Sequence, residues 1–352
     1  MLTEIKSLIT GKKILKIIAT VFILSPVVLA QGSVTEVSKK GTTAAPFLSI
    51  SQGARATAMG SAFVGVSNDV NAIYWNPAGL AKLEGIHVSF DHTDWFADIK
   101  YNFVAASYNI GEFGSIGFSF ISSDIGDMRV TTIDKPEGTG EIFSASDVAF
   151  SVAYAINLTD NFSIGFNPKF ISQSIWKMSA TAFAMDIGVQ YKTPFDGIIL
   201  AMSISNFGTK MNLSGNSNLV LHDLDLGRSG NNDKIPAYLE TEEWALPLNF
   251  RVGLGYNINV SEMHKFTIAV DAMHPNDNYE SINLGGEYNF NNFIFLRGGY
   301  KSLFLTDSEE SFALGFGVQQ ELLGNIALKV DYAYQDFGRL TNIQKFTVGI
   351  TF

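Results

Sequence analysis

The sequence predicts an all-β chain: a closed antiparallel transmembrane β-barrel of about 14 strands, with an N-terminal segment folded into its lumen. Three observations predict it. Large apolar residues alternate with small or polar ones through most of the chain; the connections between these stretches sort by length; and charged residues make up only 16% of the sequence, against roughly 25% in ordinary soluble domains.

The chain opens with a targeting signal. Lys6, Lys12, Lys13 and Lys16 precede the apolar run Ile17–Leu24, Ser25-Pro26 breaks it, and Val28-Leu29-Ala30 ends in small or apolar residues. This order of basic, apolar and small residues describes a secretory signal peptide over 1–30, cleaved after Ala30. The apolar run is short of the ~20 residues that a helical span needs. No later stretch is apolar enough for a membrane helix, so an exported chain that enters a membrane must do so with strands.

Residues 31–85 form an N-terminal extension and hatch. From Ser51 to Val66 the segment is rich in Gly, Ala and Ser, and Asn76-Pro77 sets a turn. Small residues let backbone approach backbone closely, and the stretch is long enough to fold back inside a barrel.

The barrel domain spans 86–352. Its strands are expected at 86–95, 99–110, 113–122, 144–157, 161–173, 181–193, 197–206, 248–259, 264–273, 280–290, 293–301, 311–320, 324–336 and 343–352. In the sixth, Phe183, Met185, Ile187, Val189 and Tyr191 alternate with Ala184, Asp186, Gly188 and Gln190; in the twelfth, Phe312, Leu314, Phe316 and Val318 oppose Ala313, Gly315, Gly317 and Gln319. Successive side chains of a strand point to opposite faces, so each strand has one greasy face and one small or polar face. A soluble sandwich would carry Lys and Glu on the second face. Here it carries Gly, Ala, Ser and Asn, as suits a lumen.

Connections after even-numbered strands are brief, as at Gly111-Glu112, Leu158-Thr159-Asp160, Asn291-Asn292 and Glu321-Leu322-Leu323. Those after odd-numbered strands are longer: 123–143, 174–180, 207–247, 302–310 and 335–342. Short periplasmic turns and long outer loops are the asymmetry of outer-membrane barrels. The last strand ends the chain on Phe352, and with Phe346, Val348 and Ile350 on the same face it forms the barrel-closing C-terminal signal, Phe346 and Phe352 being its aromatic members. It should pair with residues 86–95, because an open sheet edge is not tolerated in hydrocarbon.

Chemistry-bearing constellations are sparse. There is no Cys, which excludes disulfides, thiolate metal sites and cysteine nucleophiles. A net charge of −10 argues against nucleic acid as a partner. The five histidines, His87, His92, His222, His264 and His274, are scattered; Asp91-His92-Thr93-Asp94 reads as a polar lip beside Trp95. Asp223, Asp225 and Asp233 do not follow the spacing of a calcium loop. No Ser-His-acid set stands out. The expectation is no catalytic residue, no metal and no cofactor. Arg251, Asp271, Glu287, Arg297, Lys329 and Asp331 share the inward parity of the later strands, where charges avoid the cost of facing lipid, about 2–4 kcal/mol for Arg or Lys at mid-depth.

The stretch GARATAMGSAFVGVSNDVNAIYWNPAGLA, residues 53–81, resembles the N-terminal signature of the PorV/PorQ family within the wider group of FadL-like outer-membrane proteins. The resemblance implies a hatch in a fourteen-stranded barrel, and it carries over to Tyr74, Trp75, Asn76, Pro77, Ala78 and Gly79 as the hatch motif. It implies an outer-membrane protein without chemistry of its own, a component of type IX secretion that binds exported cargo. The implied partners are outer-membrane lipids, the barrel-insertion machinery, cargo proteins and other secretion components. The wider group implies an alternative, a channel for uptake of hydrophobic molecules such as long-chain fatty acids.

Overall fold

The computed structural model describes residues 39–352, apart from 196, 226, 228, 229, 231, 233, 306 and 323–325. The expected signal peptide over 1–30, and residues 31–38 of the expected extension, lie outside the described residues.

Fourteen long strands build the wall: β1 (Ile86–Asp94), β2 (Lys100–Asn109), β3 (Ser115–Asp124), β4 (Ile142–Thr159), β5 (Phe162–Ile175), β6 (Met178–Lys192) and β7 (Ile198–Gly208), then β8 (Asn249–Asn259), β9 (His264–Pro275), β10 (Ser281–Phe290), β11 (Ile294–Leu303), β12 (Phe312–Glu321), β13 (Ala327–Asp336) and β14 (Asn342–Thr351). Every neighbour pair is antiparallel, β3 pairs with β4 across the 125–141 connection, and β14 pairs with β1 from His87↔Thr351 to Asp94↔Gln344. The sheet therefore closes on itself. Closure leaves no edge of unpaired N–H and C=O groups, which is the condition for a sheet to stand in hydrocarbon.

Alternation decides which side of the wall each residue faces. On β14, Phe346 and Val348 point outward and are exposed, while Lys345 and Thr347 are buried inside. Phe312, Leu314, Phe316 and Val318 repeat the pattern on β12, and Phe250, Leu254 and Tyr256 on β8. The outer surface is a continuous apolar coat, the face a lipid bilayer covers. No helix among the described residues is long and apolar enough to cross a membrane.

The two ends of the barrel differ. At one end the connections are short: 110–114, 160–161, 193–197, 260–263, 291–293 and 322–326. At the other lie 125–141, 209–248 and 304–311, and the longest of these carries its own hairpin, Leu219–His222 paired with Ile235–Tyr238. One expected long loop is absent. Residues 174–180 hold a two-residue turn at Trp176-Lys177, because Ser174↔Ser179 and Ile175↔Met178 continue the β5–β6 ladder. The large-apolar alternation fades there, but the strand does not. Small polar residues pair as readily once the wall rises past the apolar band.

Residues 39–85 begin at the long-loop end, where Ala44 N–H donates to the Ala245 carbonyl at 2.8 Å. They leave at the short-turn end, where the Asn109 N–H donates to the Gly85 carbonyl at 3.1 Å. Between these points lie two short helices, α1 (Ala54–Ala58) and α2 (Ala72–Trp75), and 3₁₀ turns at Pro46–Ser49 and Pro77–Lys82. This inner segment holds much of the apolar core, with Phe47, Leu48, Met59, Phe63, Ile73, Trp75 and Leu80 almost wholly buried.

Candidate functional site

The lumen is where inner segment and wall meet, and close backbone approach makes the meeting possible. Gly60 lies against the backbone of Tyr300 and Leu284, and the wall's Gly299 lies against Met59 and Gly60. A Cβ at Gly188 would overlap the side-chain oxygen of Asn76. Gly60 also has φ +61, a left-handed conformation that only glycine adopts freely.

Asn76 caps the turn that Pro77 begins. Its Oδ1 accepts from Ala78 N–H at 3.2 Å, while its Nδ2 donates to the wall carbonyl of Val189 at 3.0 Å. One side chain thus orders the turn and ties it to β6. Proline at the first helical position lacks only a donor that would be orphaned there anyway. Ala78 and Gly79 are buried beside it. Tyr74 donates to the Leu48 carbonyl at 3.0 Å, and Trp75 Nε1 donates to the Gln52 carbonyl at 2.9 Å. Their rings meet edge to face at 5.1 Å, and Tyr74 also meets Phe103 of β2. The guanidinium of Arg251 sits 5.1 Å from the Trp75 ring centre, a cation over an aromatic face.

The six charges singled out in the sequence all turn inward, and the structure divides them. Glu287, Arg297, Lys329 and Asp331 join one chain of ion pairs. Arg297 Nε lies 2.6 Å from Glu287 and its Nη1 lies 2.7 Å from Asp331; Lys329 is 3.7 Å from the other Asp331 oxygen. Arg251 and Asp271 stand apart from it. Asp271 accepts from the backbone N–H groups of Phe63 and Val64 at 2.7 and 2.9 Å, holding the turn after α1 to β9. Buried carboxylates need such partners, since an unpaired charge away from water is costly.

Sequence reasoning missed the residues that complete these networks from the other side. Arg55 of α1 reaches Glu287 with two prongs, Nε and Nη2 each at 2.8 Å, and its Nη1 is 3.0 Å from Asp69. Its place in an Ala-rich stretch was the available signal, because a lone Arg among small residues needs an anion. The expected Asp91–Asp94 lip divides by alternation. Asp91 faces the lumen and accepts from Gly53 N–H at 2.8 Å, whereas His92 lies only partly buried and bonds Asn102 at 2.8 Å. Lys345 is buried and donates to the Ser51 carbonyl, and Thr347 Oγ1 accepts from Ala54 N–H at 2.8 Å. The seam between β1 and β14 is therefore fastened from within by residues 51–54. Asp233 of the acidic loop lies outside the described residues.

Among the described residues, cavities border the inner segment at both ends of the barrel. A polar one of about 650 Å³ opens at the short-turn end, lined among others by Arg55, Asp69, Asn257, Glu287, Gln319 and Lys329. An apolar one of about 350 Å³ lies at the long-loop end among Ala44, Ile175, Met211, Leu213 and Trp244. Beside that end Glu309 and Arg339 clasp two loops, Nε to Oε1 at 2.6 Å. Hydrogen bonds from the Arg339 side chain and backbone hold the Glu309 carboxyl below the ordinary range. Among the described residues, no group of His, Asp or Glu is arranged to hold a metal.

The family model described as type IX secretion system protein PorV matches residues 33–274, which include the inner segment and the first eight strands. No curated protein sequence matches the chain significantly. Among solved structures, the chain is similar to the Ralstonia pickettii toluene transporter TbuX, with 13% identity and a TM-score of 0.51 over 85% of this chain and 97% of that one. It is likewise similar to the P. putida toluene transporter TodX, with 12% identity and a TM-score of 0.52 over 85% and 96%. The CymD monoaromatic hydrocarbon channel gives 12% and 0.51 over 85% and 97%. At such identities the likeness is one of fold.

Proposed function

The chain belongs to the family of the type IX secretion system protein PorV, and on that premise we propose that it binds exported cargo at the outer membrane and passes it on within type IX secretion, without catalysing a reaction. It is an outer-membrane β-barrel of that family. The observation that carries the reading is the family match itself, which spans the inner segment together with the motif Tyr74, Trp75, Asn76, Pro77, Ala78 and Gly79. In this reading residues 31–85 act as a hatch, and residues 86–352 are the wall that presents the long loops outward. The buried ties of Arg55, Asp271 and Asn76 support it, since a segment held at so many points suits a closed scaffold better than an open pore.

Affinity isolation from outer membranes tests the proposal. Exported proteins and other secretion components should co-purify with the wild-type chain, and should be lost when the 209–248 loop is shortened. A wild-type isolate free of both would sink the reading.

The apolar cavity at the long-loop end favours a second reading, uptake of hydrophobic molecules. The solved structures of like fold include toluene transporters. Uptake of radiolabelled toluene or a long-chain fatty acid by cells with and without the chain separates the two readings.

A further inference from the structure

The 209–248 connection carries a small sheet of its own, with an edge left open. Leu219–His222 and Ile235–Tyr238 pair antiparallel, from Leu219↔Tyr238 to His222↔Ile235, and among the described residues no third strand joins them. A two-stranded hairpin alone in water is marginally stable. Its base is tied, however. Met211 and Trp244 exchange backbone hydrogen bonds at 2.8 Å, and Thr241 Oγ1 donates to the Leu213 carbonyl at 2.7 Å.

The ladder decides which edge is open. Leu239 N–H donates to the Asn218 carbonyl at 2.9 Å, and bonded pairs recur at every second position, so Val220↔Ala237 and His222↔Ile235 carry the inner bonds. Leu219, Leu221, Pro236 and Tyr238 therefore turn their backbone groups away from the hairpin. Proline has no N–H, so Pro236 blunts the edge of Ile235–Tyr238. The edge of Leu219–His222 keeps its outward donors and acceptors at Leu219 and Leu221. Those two side chains share a face with Tyr238, and the three are 45%, 63% and 66% exposed. An unpaired edge beneath an exposed apolar face is a template for another strand.

Charge narrows the partner. Between 209 and 248 acidic residues outnumber basic ones six to three, and Glu240, Glu242 and Glu243 stand exposed just past Tyr238. A second copy of this chain would bring another acidic loop to the same seam. A strand with basic residues at its ends is attracted there. We propose that the edge of Leu219–His222 adds an extended apolar segment of an exported protein, flanked by basic residues, as a third strand. Main-chain hydrogen bonds give such pairing its affinity, and the flanking charges give it selectivity. The proposal rests on the reading that exported cargo binds this chain.

The test uses the full chain in detergent micelles and a dye-labelled synthetic peptide, Lys-Lys-Val-Thr-Val-Thr-Val-Lys-Lys, followed by fluorescence anisotropy. Wild type should bind it. The same peptide methylated on every backbone nitrogen of its Val-Thr core keeps its side chains and charges but loses its donors, and its binding should be lost. L221P removes one outward donor and no ladder bond, and should lower affinity about tenfold. Exchanging the four Lys of the peptide for Glu should weaken binding, and E240Q/E242Q/E243Q should level the two peptides. Equal binding of the methylated peptide, or unchanged affinity in L221P, overturns strand pairing. Indifference of wild type to the flanking charge overturns the choice of partner, as does self-association of wild type that L221P abolishes, which gives the edge to a second copy. Cargo recovered equally with wild type and L221P overturns the edge and leaves the cargo reading standing. Peptide pairing by a chain whose isolate holds no cargo keeps the edge and sinks that reading.

Discussion

Arg55 and Glu287 are 232 positions apart in sequence and meet as a two-pronged ion pair, both contacts at 2.8 Å and both side chains more than nine-tenths buried. The inner segment and the wall thus share one buried charge balance. Removing one partner of a buried pair costs about 3–5 kcal/mol where the other charge is left unmatched; Glu287 keeps Arg297 at 2.6 Å when Arg55 is lost, so the cost is smaller and falls on the inner segment. R55A should therefore loosen the inner segment from β10 while the hydrogen-bonded wall persists. The barrel should stay heat-modifiable on gels, and residues 39–85 should become open to protease. Single variants that leave the segment protected would show that the pair carries no such role.

Asn76 serves two partners at once, so its loss should be felt twice. N76A removes a cap worth about 1 kcal/mol and also cuts the bond from the turn to the Val189 carbonyl of the wall. P77A should change conductance or cargo handling more than barrel stability, since the wall carries most of the backbone hydrogen bonding. Planar-bilayer recordings beside thermal melts of the same variants separate the two effects.

Truncation before residue 343 would strip β14 and expose two edges of unpaired backbone in hydrocarbon, several kcal/mol for each group. Such a chain should fail to insert stably, whereas removal of Phe352 alone should mainly slow assembly. Heat-modifiable mobility of membrane fractions reads both outcomes, and a folded truncated barrel would defeat the closure argument.

The loops give a pH prediction. The Glu309 carboxyl is depressed by hydrogen bonds from Arg339, so the clasp is present above the ordinary Glu value and is lost as pH falls through the lowered one. Hydrogen exchange of the Arg339 amide, which donates to Glu309 at 3.1 Å, should accelerate beyond its intrinsic trend only in acid. E309Q should show no such transition.

Topology can be labelled directly because the chain has no cysteine. Single Cys placed in the 125–141 or 209–248 connection should react with an impermeant maleimide on intact cells, and one at Asp160 should not. The reverse pattern would invert the orientation.

The wall was legible in the sequence because its rule is local. Period-two alternation in Phe183–Tyr191 or Phe312–Val318 reports the outward face without knowledge of any neighbour. The same parity turned Glu287, Arg297 and Asp331 inward. Who meets whom inside was not legible, because that depends on the path of the inner segment across the lumen. Arg55 and Lys345 each find partners more than two hundred positions away, and no spacing encodes that. The turn at Trp176-Lys177 was misread for a related reason: pairing of Ser174 with Ser179 needs no greasy alternation.

The fastening of the seam by residues 51–54 has a consequence in time. Synthesis delivers the inner segment first and β14 last, yet Ser51 and Ala54 hold Lys345 and Thr347, 294 and 293 positions downstream. A shut ring of fourteen strands leaves no route for threading helices and an ion-paired Arg through its middle. The wall must therefore wrap around a segment already in place, and the final zip of β14 onto β1 takes place on a surface that the first-made part of the chain supplies. The oldest residues are the mould for the youngest.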